Sequence, residues 1–271
     1  MLRSTQDMQA FSIGATDGRI GDIRDFYFDD RAWVVRYLVV DTGTWLSSRL
    51  VLISPIALGR PSWADKTLPV ALTRAQVKDS PDIDTHRPVS RQQEEELLGH
   101  YGYPGYWGGA GLWGGGMVPY AMLPGDGGLG SVAAADTRQA AEVEISEAAR
   151  QRDDDPHLRS CGEVIGYTLS ARDGEIGQVQ GFLVDEHTWA LRYLVVSTSK
   201  WWLGHEVLIA PQWTQGVHWA DKTVSVAMTR QAVKDAPPYD ASVPLSREQE
   251  RAVYEHHGGR GYWLDEGDRE A

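Results

Sequence analysis

The feature that most constrains this chain is an internal repeat of about 90 residues. Residues 17–107 return at 173–263 with a constant offset of 156 and no insertion or deletion. Roughly 40 of the paired positions are identical, including the pentapeptide RYLVV at 36–40 and again at 192–196. Solenoid repeats have periods of about 20–50 residues. The longer period therefore indicates one globular domain that is present twice.

The stretch between the two copies differs from both of them in composition. Residues 108–158 are rich in glycine, then in alanine, and end in an aspartate run. A segment of this kind cannot build an apolar core of its own. We predict a linker over 108–158, mobile in the first interpretation and docked on the repeats in the alternative, with repeat domains at 1–107 and 159–271.

Each copy begins with short apolar segments separated by turn signals, a pattern typical of a small antiparallel β domain. Asp-Gly dipeptides at 17–18 and 173–174 suit hairpin turns, because glycine adopts positive φ easily. The segments 34–40 and 190–196 are nearly continuous apolar runs, as in strands that are buried on both faces. Short strands at about ten-residue spacing predict a mainly β fold that closes into a small barrel.

Each copy also ends in a short helical segment. Ser90 and Ser246 both precede a glutamine by three residues, which is the capping-box spacing at the start of a helix. Gly102 and Gly258 follow about ten residues later and are natural helix stops. We predict one helix in each copy between these two signals.

Charge and cysteine content restrict the partners and the compartment. The formal net charge is −12, and no stretch carries the clustered basic face that phosphate backbones or anionic lipids require. We therefore expect no nucleic-acid partner. Cys161 is the only cysteine, so an internal disulfide is impossible and a reducing compartment is compatible. The N-terminal residues lack a signal-peptide core, and no run of about 18 apolar residues occurs, so we expect a cytoplasmic protein without a transmembrane segment.

An ordered series of motifs resembles the PRC-barrel family. In the first copy the series reads WVVRYLVVD at 33–41, VLISP at 51–55, WAD at 63–65, LTR at 72–74 and VKDSP at 77–81. The second copy carries the same series in the same order, so the resemblance covers both repeats and about two thirds of the chain. It implies two PRC-type β-barrels of about six strands, each with a short C-terminal helical segment.

This family includes the cytoplasmic domain of the photosynthetic reaction-centre H subunit and, more distantly, RimM proteins. The chain looks closer to the stand-alone bacterial PRC-barrel proteins. It differs from the H subunit in having no membrane-spanning segment, and from RimM in its acidity and in lacking the separate N-terminal domain. The resemblance implies no catalytic set.

Tryptophan is the most unusual feature of the amino-acid composition. Eight of the eleven tryptophans form four repeat-matched pairs, at positions 33/189, 45/201, 63/219 and 107/263. One interpretation is that they fill the barrel ends and seat the terminal helix. The functional interpretation is that loop residues Trp45, Trp201 and Trp202 remain exposed as contacts for a protein partner.

Two matched arginines lie inside otherwise apolar strands. Arg36 and Arg192 would be costly there without a carboxylate partner, so we predict structural ion pairs. An anion-binding site or a conformational switch is the functional alternative. The matched carboxylates that could serve as partners are Asp29 with Asp185, or Asp65 with Asp221.

Patterns that would carry catalysis do not occur. The histidines lack the spacing of a metal site with a third ligand, and Cys161 has no recognisable base nearby. The glycine cluster at 108–116 lacks the spacing of a phosphate-binding loop. We predict no catalytic residue, no cofactor and no metal site, and hence a protein that is not an enzyme.

These observations favour a non-catalytic tandem-barrel protein that acts in protein–protein interaction or as a scaffold. Two binding sites on one chain raise the effective concentration of the second site. Pairing of the two barrels with each other is an alternative arrangement. A role as an accessory of photosynthetic electron transfer is the alternative function, implied by the resemblance alone, and the presence or absence of a reaction centre in the source organism would discriminate the two.

Overall fold

The computed structural model describes residues 1–9, 11–82, 89–107, 111–122, 158–198 and 205–267. The chain divides into two compact units. Unit 1 is made of Met1, Arg3–Gly162 and Asp185–Ala190, and unit 2 of Leu2, Glu163–Val184 and Leu191–Ala271, in both cases as far as these ranges are described.

Strands are the most numerous elements among the described residues of the first half of the chain. Its elements are β1 (Leu2–Ser4), α1 (Thr5–Met8), β2 (Ser12–Ala15), β3 (Gly18–Asp29), β4 (Val34–Asp41), β5 (Leu50–Ile53), β6 (Thr67–Pro69), α2 (Arg74–Lys78), α3 (Arg91–Tyr101) and β7 (Leu158–Ser160). Short 3-10 helices occur at Gly43–Leu46, Pro55–Ala57 and Pro119–Met122.

The second half repeats most of this order and adds two strands and one helix. Its elements are α4 (Cys161–Val164), β8 (Thr168–Ala171), β9 (Gly174–Asp185), β10 (Leu191–Ser197), β11 (Glu206–Ile209), a 3-10 helix (Pro211–Trp213), β12 (Thr214–His218), β13 (Thr223–Val226), α5 (Arg230–Lys234), β14 (Pro238–Tyr239), α6 (Arg247–His257) and α7 (Tyr262–Gly267). The additions are β12, β14 and α7.

The two sheets share one order of five strands, β5-β4-β3-β2-β6 in unit 1 and β11-β10-β9-β8-β13 in unit 2, and the second sheet adds β14 and β12 at its two ends. The pair β2–β6 is parallel, with Ile13 opposite Leu68, and so is the matched pair β8–β13, with Leu169 opposite Val224. The predicted mainly β fold is confirmed. No closed barrel is found among the described strands, so barrel closure stays a prediction.

Each unit has a core of its own. Every residue of β4 is buried except the last, in agreement with the apolar run that predicted a strand covered on both faces. One cluster joins Tyr27, Tyr37, Val39, Leu52, Val89, Leu97 and Leu158. Its counterpart joins Leu183, Tyr193, Val195, Leu208, Ala210, Val253 and Tyr254. In both clusters the apolar face of the long helix, α3 or α6, covers the sheet.

The predicted caps set the limits of these helices. Ser90 and Ser246 each form a capping box with the glutamine three residues later. Gly102 and Gly258 end the helices in the left-handed conformation, at φ 69° and 70°, which glycine reaches without steric cost.

Unit 1 extends beyond the predicted boundary at residue 107. Trp113 has no exposed surface, and its indole N–H donates to the carbonyl of Thr188 at 2.8 Å. Strand β7 pairs with β3, with Tyr27 opposite Ser160. Thus the described parts of the segment 108–158, which we assigned to a linker, belong to unit 1. The physical reason is that Trp113 and Leu158 of this segment bury their apolar side chains in unit 1.

No helix among the described residues is both long and apolar enough to cross a bilayer.

Candidate functional site

The candidate site is a pocket beside Trp45 in unit 1, and its floor is the close contact of β3 and β4. A Cβ atom at Gly21 would lie 1.9 Å from the carbonyl oxygen of Asp41. Only glycine therefore allows the two strands to approach so closely at this point. The chain leaves β4 directly after this contact and enters the short 3-10 helix that contains Trp45.

The loop that carries Trp45 is held at both ends. The Asp41 carboxylate accepts the backbone N–H of Gly43 at 2.9 Å and a hydrogen bond from Arg24 at 2.8 Å. These two interactions, the backbone one first, hold the pKa of Asp41 below its usual range. At the other end, the Thr42 hydroxyl donates to the carbonyl of Arg49 at 2.8 Å. The side chains of Asp41 and Thr42 thus hold the base of the loop.

Trp45 is half-buried, and one ring face is covered by an arginine. Its indole N–H donates to the carbonyl of Ile20, which fixes the plane of the ring. The guanidinium carbon of Arg74 lies 4.3 Å from the ring centroid, within the range of a cation–π interaction. We expected Trp45 to be exposed as a partner contact; the structure places it at a pocket wall with part of its surface accessible.

Arg74 is positioned by the start of α2. Thr73 and Gln76 form a capping box there, and the backbone N–H of Arg74 donates to the Asp17 carboxylate at 2.8 Å. Its side-chain Nε is buried without a hydrogen-bond partner, and no carboxylate lies within 4.0 Å of the guanidinium among the described residues. Arg74 thus brings a positive charge to the pocket wall without a direct ion pair to a described carboxylate.

The pocket has a volume of about 290 Å³. Arg19, Asp22 and Asp41 line it together with Trp45 and Arg74. Arg19 pairs with Asp22 through one nitrogen and donates through another to the Ser12 hydroxyl at 2.8 Å. Such an arrangement can bind a small polar group through charge and an aromatic wall.

The second repeat differs at the matched position. Arg230 corresponds to Arg74, and its backbone N–H likewise donates to Asp173, at 2.7 Å. Its side chain, however, pairs with the Asp173 carboxylate at 3.8 Å. The other two proposed contact residues, Trp201 and Trp202, lie outside the described residues.

Arg36 has the kind of partner that its position required. Its side chain is 3% exposed, and its Nη2 lies 3.5 Å from Asp29 Oδ2. Its Nη1 donates to the carbonyl of Leu112 at 2.6 Å. The guanidinium also lies 3.8 Å from the ring centroid of Tyr106. Arg192, the matched arginine of unit 2, lies 4.0 Å from the ring centroid of Tyr262.

Unit 1 contains a buried carboxylate that we did not predict from the sequence. Glu94 on α3 is 2% exposed and accepts hydrogen bonds from Tyr106 and, at 3.5 Å, from Tyr37. Arg91 lies one helical turn earlier, with Nη1 3.2 Å from the Glu94 carboxylate. Burial raises the pKa of Glu94 to about 7, against the opposing effect of Arg91. We call these four residues the glutamate cluster.

Unit 2 contains the matched cluster. Glu250 accepts from Tyr262 at 2.8 Å and from Tyr193 at 3.1 Å, and Arg247 Nη1 lies 2.8 Å from its carboxylate. All four residues recur at the offset of 156, and this was the signal that could have revealed them. In both units the cluster joins the long helix to the sheet and to the Gly-Tyr-Trp sequence at 105–107 or 261–263, so its role is structural.

The remaining tryptophans mostly pack. Trp33 and Trp189 are buried at 9% and 4% exposure. Trp107 lies under Arg91 at 4.3 Å and Trp263 under Arg247 at 4.5 Å. These contacts fit the packing interpretation of the matched pairs.

Within the described ranges, no three His, Cys, Asp or Glu side chains converge as metal ligands. Cys161 is buried, and burial raises the pKa of its thiol, which disfavours the thiolate.

Comparison with protein-family models gives no match to this chain, and comparison with curated protein sequences gives none either.

Proposed function

We propose that the protein is a non-catalytic interaction module of the PRC-barrel type that binds a protein partner through the Trp45 pocket. The observation that carries the proposal is the pairing of a half-buried Trp45 with Arg74 on the wall of one open pocket. Tryptophan and arginine are the residue types most enriched among the energetically dominant residues of protein interfaces.

The way the pocket is held supports this proposal. Trp45 is fixed by its hydrogen bond to Ile20, and Arg74 by the capped start of α2. Side chains that are already ordered lose less conformational entropy on binding. The motif resemblance and the repeat add the expectation of a scaffold with two related modules, each closed as a barrel.

Site-specific cross-linking tests the proposal. A photo-reactive amino acid is placed at Thr44, an exposed residue of the pocket wall, and in a control chain at the exposed Glu255 of α6. In lysate of the source organism, we expect a discrete cross-linked protein from position 44 that is absent from position 255. Trp45→Phe should reduce it strongly. Equal products at both positions, or no effect of Trp45→Phe, would refute the proposal.

A further inference from the structure

We propose that the Trp45 pocket recognises a single carboxylate group, presented by the protein partner as an acidic side chain or as a C-terminus. This inference rests on the proposed function and names the chemical group that the pocket takes. Its first support is the state of Arg74, whose Nε is buried without a hydrogen-bond partner and which forms no ion pair within 4.0 Å among the described residues.

The matched arginine of unit 2, Arg230, differs from Arg74 in its ion pairing. Both side chains start from a threonine-capped helix turn, and both backbones donate to the aspartate of the Asp-Gly turn. Arg230 turns to its aspartate at 3.8 Å, whereas Arg74 lies over the ring of Trp45. The same local framework therefore leaves Arg74 without the ion pair that Arg230 forms.

The charge balance of the pocket selects the kind of anion. Arg19 is paired with Asp22, and Arg24 with Asp41, so these four charges cancel. Arg74 is the cation of the pocket lining that forms no ion pair within 4.0 Å among the described residues, while the nearby Asp17 carboxylate accepts its backbone N–H. A monoanionic carboxylate matches this cation, while a dianionic phosphate would also face Asp22 and Asp41. A planar carboxylate further suits the planar guanidinium, which binds it with two parallel hydrogen bonds.

The size of the pocket agrees with this assignment. A volume of about 290 Å³ lies at the lower end of the range for small-molecule sites, about 300–1,000 Å³. It accommodates one acidic side chain or a chain end rather than a folded element. The aromatic wall formed by Trp45 would cover the carbon atoms of such a group.

NMR titration of the full chain tests the inference. The probes are Ac-Ala-Asp-Ala-NH2 for an acidic side chain, Ac-Ala-Ala with a free C-terminus for a chain end, Ac-Ala-Asn-Ala-NH2 as the uncharged match, and inorganic phosphate at pH 8, all at constant ionic strength. The readouts are the indole N–H signal of Trp45, assigned by its loss in Trp45→Phe, and the Nε–H signal of Arg74.

We expect saturable shifts of both signals with at least one of the two carboxylate peptides, and the stronger binder identifies the source of the group. Arg74→Gln should weaken this binding at least about tenfold, and the matched Arg230→Gln should leave it unchanged. Equal shifts with the asparagine peptide, tighter binding of phosphate, or binding that survives Arg74→Gln would overturn the inference. If the cross-link at position 44 depends on Trp45 but not on Arg74, the inference fails and the proposed function stands.

Discussion

At the scale of single residues, both units place charged groups inside the core and surround them with aromatic hydroxyls and cations. Glu94 is the clearest case, with two tyrosines and Arg91 around one carboxylate. Burial opposes the ionised form and the guanidinium favours it, and burial has the larger effect on the pKa. The stability of unit 1 must therefore depend on pH.

The direction follows from proton linkage. The pKa of Glu94 rises from 4.5 to about 7 on folding, so the folded state binds the proton more tightly than the unfolded chain. The corresponding stabilisation is complete below pH 4.5 and is lost as the pH rises through about 7. At about 1.4 kcal/mol per pKa unit, it amounts to roughly 3 kcal/mol. We expect Glu94→Gln to flatten this dependence, measured by urea unfolding at pH 5 and pH 8 with NMR signals of α3. Glu250→Gln is the control that should leave the pH dependence of α3 unchanged.

Arg36 should be costly to remove, because its loss leaves Asp29 buried without its cation. Breaking a buried ion pair on one side costs about 3–5 kcal/mol. We expect Arg36→Met to destabilise unit 1 by that order, measured as the urea midpoint of β4 amide signals. Adding Asp29→Asn should recover part of the loss. If the double variant is no more stable than Arg36→Met, the ion pair is not the source of the effect.

At the scale of elements, short sequence patterns were sufficient to predict the strands and helices that depend mainly on neighbouring residues. The strand predicted at 34–40 is β4, and the helices predicted after Ser90 and Ser246 are α3 and α6. Apolar runs, capping boxes and stop glycines act over a few residues, and they can be read without knowledge of the fold.

Long-range features could not be predicted in this way. Nothing adjacent in sequence connects Glu94 with Tyr37 or Tyr106, and only the topology of the sheet brings them together. The same holds for Arg74 and Trp45, which lie 29 positions apart and meet through the Asp-Gly turn and α2. We did not predict the burial of Trp113, because the glycine-rich sequence around it is typical of a linker. The composition of a segment does not show whether a single tryptophan within it packs against a neighbouring domain.

Two glycine substitutions separate backbone strain from steric clash. Gly102 has φ 69° and nothing within 4 Å of an added Cβ, whereas a Cβ at Gly21 would meet the Asp41 carbonyl at 1.9 Å. We expect Gly102→Ala to cost about 1 kcal/mol and Gly21→Ala to cost more, because β3 and β4 must separate. Thermal unfolding of the two variants measures the difference. The matched variants Gly258→Ala and Gly177→Ala should show the same order, since a Cβ at Gly177 would lie 2.1 Å from the Ser197 carbonyl.

At the scale of the whole molecule, the units do not coincide with the repeats. Leu158 precedes the second repeat and yet belongs to the core of unit 1. Leu2 occupies the same repeat position at the start of the chain and packs with the core of unit 2. The alignment of the repeats shows that the two residues are equivalent, but it does not show in which core either one lies.

This assignment predicts that two matched variants destabilise different units. Leu158→Ala should reduce amide protection of Tyr37 and Val39 in unit 1, with a cost of about 2–5 kcal/mol for a buried leucine. Leu2→Ala should act on Tyr193 and Val195 in unit 2, and less strongly because Leu2 is partly exposed. Hydrogen exchange of the full chain measures both effects. Loss of protection within the repeat that carries each mutation would contradict the assignment.

Because unit 1 is built from segments that lie far apart in the sequence, the order of translation affects its folding. Its last segment, Asp185–Ala190, is translated about 80 residues after Trp107. At about 5–20 residues per second, a ribosome needs several seconds to supply the strand and the turn that complete the sheet around β3. During this interval the nascent first half lacks part of its sheet, so unit 1 cannot complete its fold until the beginning of the second repeat has been made.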